Sequence, residues 1–169
     1  GGDEDLVSAC LVVYRAHPVQ LEPFPGVEGA LDEIRAAGMA TGLLTDGSAV
    51  VQRRKLDGLG SVAKRLDLVL LTDELGPGHA KPSPVPFRVA CRILGVPPTA
   101  AVYVGNDPTK DFRGAREAGL FTVRAGRPID FGGTVDRLSA ATDDADVALD
   151  AFEHLPALLA GRMPGAGPK

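Results

Sequence analysis

The chain has 169 residues, and 44% of them are apolar, which fits one domain of ordinary size with a hydrophobic core. The formal net charge of −4 and the lack of a basic stripe argue against a nucleic-acid partner. No apolar run approaches the ~18 residues that a membrane span requires, and the first residues do not resemble a signal peptide. We therefore expect a cytoplasmic protein with neither nucleic-acid nor membrane partners.

Hydrophobic periodicity divides the chain into alternating helices and strands. Glycine- and proline-rich segments separate these elements. The predicted helices cover 3–16, 27–37, 48–56, 85–94 and 147–160, with one more that ends at residue 118. The predicted strands cover 39–44, 66–71, 102–104 and 121–124, and residues 125–146 are predicted to be irregular.

Strands that alternate with helices predict an α/β fold built on a parallel, doubly wound sheet with right-handed crossovers. In such a sheet, ligands bind at the carboxyl ends of the strands. Polar pairs follow three of the predicted strands, and they are Thr45-Asp46, Asp73-Glu74 and Asn106-Asp107. We expect these pairs to face one crevice, with Asp73 and Glu74 in a capping rather than a catalytic role.

The loop after the third strand carries a cluster of oxygen-bearing side chains. Asn106, Asp107 and Asp111 place an amide oxygen and two carboxylates close together in the chain. Hard oxygen ligands of this kind suit Mg²⁺. The alternative is that Asp107 only caps a helix in which Pro108 takes the first position.

Two further residues point to phosphate. Thr45 and the helix start near Ser48 offer a hydroxyl and backbone N–H groups to phosphoryl oxygens. Lys81 lies in the loop before a helix, where its ammonium group would offset phosphate charge. The alternatives are that Thr45 only caps its helix and that Lys81 is a solvated loop charge.

Three segments, in chain order, resemble the second, third and fourth motifs of the haloacid dehalogenase superfamily, whose members are mostly phosphatases. The segments are Leu43-Leu44-Thr45-Asp46-Gly47, Lys81-Pro82-Ser83-Pro84 and residues 104–111. The resemblance implies a three-layer, Rossmann-like parallel sheet. It also implies Mg²⁺-dependent hydrolysis of a small phosphorylated metabolite through an aspartyl-phosphate intermediate. The implied residues are Thr45 and Lys81 for catalysis, Thr45, Asp46, Gly47 and Lys81 for substrate binding, and Asn106, Asp107 and Asp111 for Mg²⁺.

The chain departs from the family at the first motif, an Asp-x-Asp that supplies the nucleophile and the general acid/base. Asp3-Glu4-Asp5 has no strand before it, and Asp144-Ala145-Asp146 would serve only in a permuted chain order. We therefore expect the first strand and most of the cap to be missing, and the chain as given to be inactive or very weak. A second departure is Asn106, where many relatives have aspartate, so that either Asn106 or Asp107 could hold the metal.

The missing motif leaves a rival hypothesis, a non-catalytic, degenerate module that binds a phosphorylated ligand or a partner protein. It also predicts a gap at the centre of the sheet, because the family's first strand lies between the strands that end at Thr45 and Asn106. We expect an amino-terminal segment to fill this gap, the strands to close up, or a homodimer or second chain to complete the sheet.

Three segments are predicted along the chain. Residues 1–18 are a remnant of a cap helix and its connector, residues 19–160 are the core domain, and residues 161–169 are a disordered tail. Cys10 and Cys91 lie in apolar segments, and both are expected to be buried, reduced thiols.

Overall fold

A computed structural model describes residues 2–16, 21–125 and 145–162. Helices and strands alternate along these residues as the sequence predicts. The helices are α1 (Gly2–Ala16), α2 (Val27–Ala36), α3 (Ala49–Gly58), α4 (Gly60–Ala63), α5 (Val85–Leu94), α6 (Phe112–Ala118) and α7 (Leu155–Ala160). The strands are β1 (Gly42–Thr45), β2 (Leu68–Leu71), β3 (Val102–Gly105), β4 (Phe121–Ala125) and β5 (Val147–Leu149).

The strand pairs of the described residues are all parallel. β1 pairs with β2, which sets Leu44 beside Leu70, and β3 pairs with β4, which sets Val104 beside Val123. β5 continues this second sheet by pairing with β4. Parallel strands with intervening helices confirm the α/β, Rossmann-like fold.

The described strands form two sheets instead of one continuous sheet. The first has the order β1-β2 and the second β3-β4-β5, and no hydrogen-bonded strand pair joins them. β1 and β3 therefore each keep one edge without a strand partner among the residues that the structure describes. The strands do not close up, and residues 2–16 form a helix that does not fill the gap. Completion of the sheet by another segment or chain remains a prediction.

One apolar cluster connects the two sheets. Phe87 and Cys91 of α5 pack with Ala115 of α6, and this cluster contacts Leu44 of β1 and Tyr103 of β3. Helix α5 inserts this face because its apolar residues recur at helical spacing. Helices α5 and α6 thus hold the carboxyl ends of β1 and β3 near each other although the strands do not pair.

A second apolar cluster packs against the β3-β4-β5 sheet. Ile34 of α2 and Val123 of β4 pack with Leu155 and Leu159 of α7. Both α7 and the 3-10 turn Phe152–His154 contact α2. The end of the described chain is therefore packed onto the domain.

The prediction of one helix over residues 147–160 is wrong in its first part. Residues Val147–Leu149 form β5, and α7 begins only at Leu155. Asp146 fixes the start of β5, because its Oδ2 accepts hydrogen bonds from the backbone N–H and the hydroxyl of Thr122. Three apolar or small residues carry too little periodicity to separate a strand from a helix turn. Residues 126–144 and 163–169, which include most of the predicted irregular segment and tail, lie outside the described residues.

One alternative and one expectation from the sequence are corrected near the helices. The helix after β3 begins at Phe112, so Asp107 is not its cap and Pro108 is not its first residue. Cys91 is buried as expected, but Cys10 is exposed on α1, and both thiols are free. Cys10 is exposed because α1 packs little of its surface, as its exposed Leu6 and Val12 also show. No helix among the described residues is long and apolar enough to cross a membrane.

Candidate functional site

Lys81 connects the ends of the two sheets. Its backbone N–H donates to Asp46 Oδ1 beyond the end of β1, at 3.1 Å. Its side chain reaches the other sheet, where Nζ donates to Asp111 Oδ1 at 2.7 Å and to the Tyr103 hydroxyl at 2.9 Å. Lys81 is therefore not the solvated loop charge of the alternative hypothesis, because only 9% of its side chain is exposed.

Asp111 organises the loop after β3. Its Oδ2 accepts the backbone N–H groups of Asn106 at 3.0 Å and Asp107 at 2.9 Å. Its Oδ1 accepts Lys81 Nζ and, at 3.2 Å, the Tyr103 hydroxyl. Only 4% of the side chain is exposed, and four donors satisfy its two oxygens. The carboxylate thus shapes the loop and anchors the lysine.

Asp46 has a similar role at the end of β1. Its Oδ1 accepts the Thr72 hydroxyl at 2.9 Å as well as the backbone N–H of Lys81. Its Oδ2 lies 4.0 Å from Lys81 Nζ, which is an ion-pair contact too long for a hydrogen bond. Asp46 therefore ties the loops after β1 and β2 to the lysine loop, and its side chain points into the protein.

Thr45 and Gly47 lie on either side of Asp46. The Thr45 hydroxyl has no hydrogen-bond partner among the residues that the structure describes, so it remains free for a ligand. It does not cap α3, whose first backbone N–H, at Ala49, donates to Asp73 Oδ2 at 3.0 Å. Gly47 has φ of 105°, which a side chain would disfavour at this turn. The capping role predicted for Asp73 is confirmed.

Asn106 and Asp107 both follow β3, but only the Asp107 side chain has hydrogen-bond partners among the described residues. Asp107 Oδ1 accepts the backbone N–H and the hydroxyl of Thr109, and its Oδ2 lies 3.5 Å from Lys110 Nζ. Desolvation raises the pKa of Asp107, but the Thr109 hydrogen bonds and Lys110 outweigh it and leave the pKa below its usual value. The Asn106 side chain is exposed and has no hydrogen-bond partner in the described part of the chain.

These contacts show how far the loop fits Mg²⁺. No group of three or more acidic, histidine or cysteine side chains among the described residues is arranged to hold a metal ion. The oxygens of Asp111 are already occupied by donors, and Asp107 is turned toward Thr109 and Lys110. Of the three side chains predicted to bind Mg²⁺, Asn106 is the one whose oxygen accepts no hydrogen bond from the described residues. The loop therefore fits Mg²⁺ only as part of a larger ligand set, completed by waters, a phosphate or another carboxylate.

Two glycines allow the close approach that builds this site. A Cβ on Gly105 would lie 2.6 Å from Asp111 Oδ2, so this position must lack a side chain for the carboxylate to reach the loop. A Cβ on Gly114 of α6 would lie 2.1 Å from the carbonyl oxygen of Pro82. Helix α6 thus packs directly on the backbone next to Lys81.

Tyr103 is a site residue that sequence interpretation misses. The strand pattern assigns it to the apolar core of β3, but its hydroxyl contacts both Lys81 and Asp111. Burial and the nearby carboxylates of Asp111 and Asp46 raise the pKa of its phenol, which therefore remains protonated at neutral pH. The sequence signal for this role is that Tyr103 lies between two valines in a predicted buried strand. A buried phenol needs a hydrogen-bond partner, so its hydroxyl is expected to contact a polar group.

The Asp-x-Asp segments do not supply a nucleophile to this site. Asp146 lies at the amino end of β5 and is bound to Thr122, whereas the site lies at the carboxyl ends of β1 and β3. The permuted arrangement is therefore wrong for Asp146, and Asp144 lies outside the described residues. Asp5 is exposed on α1.

Comparison with known proteins places this site in a family. The model of the haloacid dehalogenase-like hydrolases matches residues 2–119. The chain is 46% identical over 119 residues to phosphoserine phosphatase of Thermus thermophilus, which covers 70% of this chain and 45% of the relative. It is 42% identical over 123 residues to glyceraldehyde 3-phosphate phosphatase of Methanopyrus kandleri, covering 72% of this chain and 52% of the relative. The chain spans about half the length of these curated relatives.

Solved structures agree with this placement. A 2-haloacid dehalogenase from Pseudomonas syringae superposes with a TM-score of 0.70 at 28% identity, over 96% of this chain and 65% of that chain. A phosphatase of the family from Thermococcus onnurineus gives a TM-score of 0.67, also at 28% identity, over 82% of this chain and 58% of that chain. The protein belongs to the haloacid dehalogenase-like hydrolases, and its curated relatives are phosphatases of small phosphorylated metabolites.

Proposed function

We propose that this chain carries the phosphate-binding part of a phosphatase site for small phosphorylated metabolites. The observation that carries the proposal is the arrangement of Lys81, whose buried ammonium group keeps one N–H without a protein acceptor among the described residues. The Thr45 hydroxyl and the Gly47 turn flank Asp46 in the chain, and Asp46 accepts the backbone N–H of Lys81. A phosphoryl group supplies the oxygen acceptors and the negative charge that these groups lack.

The names of the relatives support a small substrate. They include phosphatases of phosphoserine, glyceraldehyde 3-phosphate and phosphoglycolate. These compounds differ in the organic part and share a phosphate ester on a small, charged or polar carbon skeleton. We propose a substrate of the same class for this chain.

Mg²⁺ is proposed as the cofactor, with the Asn106 amide oxygen as the ligand that this chain supplies directly. When bound, the ion would neutralise charge on the phosphoryl group. Asp111 would act beside it by fixing the loop through the N–H groups of Asn106 and Asp107. An amide in place of a carboxylate lowers the negative charge of the loop, so we expect weak Mg²⁺ binding in the absence of phosphate.

The reaction requires a nucleophile that the described residues do not place at the site. In the aspartyl-phosphate mechanism, a carboxylate attacks phosphorus and displaces the alcohol. A second carboxyl group protonates this alcohol and then, as a carboxylate, activates the water that hydrolyses the aspartyl phosphate. Among the described residues, β1 and β3 each have one edge without a strand partner, and a strand added there would bring these acids beside Thr45 and Asp111. We therefore propose that the chain alone binds phosphate and that turnover depends on an added strand ending in Asp-x-Asp.

A non-catalytic binding module remains the second candidate function. Asn106 at an acidic position of the motif favours it, as does the lack of a strand ending in Asp-x-Asp among β1–β5. Such a module would use the same Lys81 and Thr45 to bind a phosphorylated ligand without hydrolysing it.

An aryl phosphate assay with Mg²⁺ separates the two functions. The chain as given should release no more phosphate than its Lys81→Ala variant. A fusion that adds an apolar strand ending in Asp-x-Asp at the amino end should gain Mg²⁺-dependent turnover. The same fusion with Lys81→Ala should lose that turnover, because the phosphoryl charge is no longer offset. A fusion that folds, binds phosphate and still does not turn over would favour the binding module.

A further inference from the structure

The ammonium group of Lys81 lies between two carboxylates at unequal distances. Asp111 Oδ1 is 2.7 Å from Nζ, whereas Asp46 Oδ2 is 4.0 Å away. A displacement of about 1 Å would bring the lysine to hydrogen-bond distance of Asp46 and create a second ion pair. With both carboxylates bound, two negative charges would offset the ammonium, and its attraction for an anionic ligand would weaken.

The Tyr103 hydroxyl occupies the position that prevents this displacement. It accepts a hydrogen bond from Lys81 Nζ at 2.9 Å and donates to Asp111 Oδ1 at 3.2 Å. Three groups therefore form a closed triangle in which each is bound to the other two. Unlike a carboxylate, the phenol accepts a hydrogen bond from the lysine without adding negative charge to the site.

The ring of Tyr103 is fixed independently of the lysine. It packs edge-on against Phe87, with 4.8 Å between the ring centroids and an interplanar angle of 87°. Nζ lies 5.6 Å from the Tyr103 ring centroid, within range of a cation–π contact. Because the ring is held by the α5–α6 cluster, the hydroxyl has a defined position before Lys81 binds it.

We propose that Tyr103 is a positioning residue that keeps Lys81 from pairing with Asp46 and so leaves the positive charge of the ammonium group available to a phosphoryl oxygen. The inference rests on the proposed phosphate site, since it assigns the charge of the ammonium group to phosphate. Tyr103 itself does not contact the ligand, and its effect passes through the lysine.

The variant Tyr103→Phe tests this role because it removes the hydroxyl and keeps the ring that packs on Phe87. A crystal structure of this variant should show Lys81 Nζ at hydrogen-bond distance from Asp46 Oδ2. Titration of the full chain with inorganic phosphate should show an affinity about tenfold lower than that of the wild type, because a second carboxylate then offsets the ammonium charge. Tyr14→Phe removes the hydroxyl of the other tyrosine and should leave the affinity unchanged.

The double variant Tyr103→Phe, Asp46→Asn distinguishes positioning from a merely structural role. The asparagine side chain keeps the oxygen that accepts from Lys81 and Thr72 but removes the competing charge, so phosphate affinity should recover. Loss of affinity without this recovery would overturn the proposal, as would a Tyr103→Phe structure in which Nζ stays 4.0 Å from Asp46. If the wild-type chain does not bind phosphate, the proposed function fails, and the crystallographic distance alone decides the role of Tyr103.

Discussion

At the scale of single residues, Asp111 is the side chain on which the site depends. It accepts hydrogen bonds from two backbone N–H groups, from Lys81 and from Tyr103. The variant Asp111→Ala should lower the free energy of unfolding by about 3–5 kcal/mol, because it removes the nearer ion-pair partner of the buried ammonium group and the acceptor of two backbone N–H groups. Urea unfolding measures this loss. The exposed Asp57→Ala on α3 is the control and should change stability by less than about 0.5 kcal/mol.

A second residue-scale prediction concerns pH. Desolvation raises the pKa of Asp146, but hydrogen bonds from Thr122 and the charges of Arg116 and Arg162 outweigh it and leave the pKa below its usual value. A carboxyl group with a lowered pKa in the folded state stabilises the protein above its unfolded pKa of about 3.9. This contribution should be lost as the pH falls through the lower, folded pKa.

Thermal unfolding of wild type and Asp146→Asn between pH 7 and pH 2.5 measures this effect. The variant should be less stable at pH 7, and the difference should shrink as the pH falls below about 4. A difference that is constant over this range would show that the carboxylate charge does not stabilise β5.

Residue types near the site can be predicted from the sequence, but their partners cannot. Thr45, Lys81 and Asp111 are identified because strand ends and motif order restrict their positions. The direction of Asp46 into the protein depends on Thr72, which is distant in sequence. Tyr103 resembles a core residue because a strand pattern shows which face a side chain takes and not which polar atom it meets.

At the scale of elements, the contact between α6 and the lysine loop is the closest in the site. Gly114→Ala would place a Cβ 2.1 Å from the Pro82 carbonyl oxygen, so the loop or the helix must shift. We expect a loss of about 1–3 kcal/mol in stability, as for other overpacked positions, and weaker phosphate binding because Lys81 moves with the loop. Urea unfolding and phosphate titration measure the two effects.

Gly29→Ala is the matched control, since a Cβ at this position in α2 meets no atom within 4 Å. It should stabilise the protein by about 0.5–1 kcal/mol through helix propensity and leave phosphate binding unchanged. Equal effects of the two substitutions would contradict a close contact at Gly114.

Helices with a clear apolar stripe, such as α2 and α5, are predicted close to their observed bounds. β1 and β2 are located correctly but predicted too long at their amino ends, where 39–41 and 66–67 precede the paired residues. β3 and β4 begin at the predicted residues. β5 is missed because its pairing with β4 is a long-range contact, and Val147–Leu149 alone is too short to show a period.

At the scale of the whole molecule, the two described sheets leave unpaired edges on β1 and β3. Exposed strand edges favour pairing with other chains. We expect the chain as given to associate as its concentration rises, and the fusion that adds a strand to remain monomeric. Sedimentation velocity measures both. A chain that stays monomeric at high concentration would indicate that its edges are protected.

The resemblance predicts a gap between β1 and β3, but the separation of the described strands into two sheets is not predicted, because we expected the gap to be filled or closed. The contacts that hold the two sheets together cannot be predicted from the sequence. The α5–α6 cluster that contacts Leu44 and Tyr103, and the Lys81 bridge, arise from tertiary contacts that no local pattern encodes.

The central claim is that this chain binds phosphate through Lys81, and calorimetric titration with inorganic phosphate tests it most directly. Wild type, Lys81→Ala and the exposed Lys64→Ala should be compared with and without Mg²⁺. The account predicts saturable binding by wild type and Lys64→Ala, and an affinity at least about tenfold lower for Lys81→Ala, from the loss of a charge-assisted hydrogen bond. Absence of saturable binding by the wild type, or equal affinity of the two lysine variants, would contradict it.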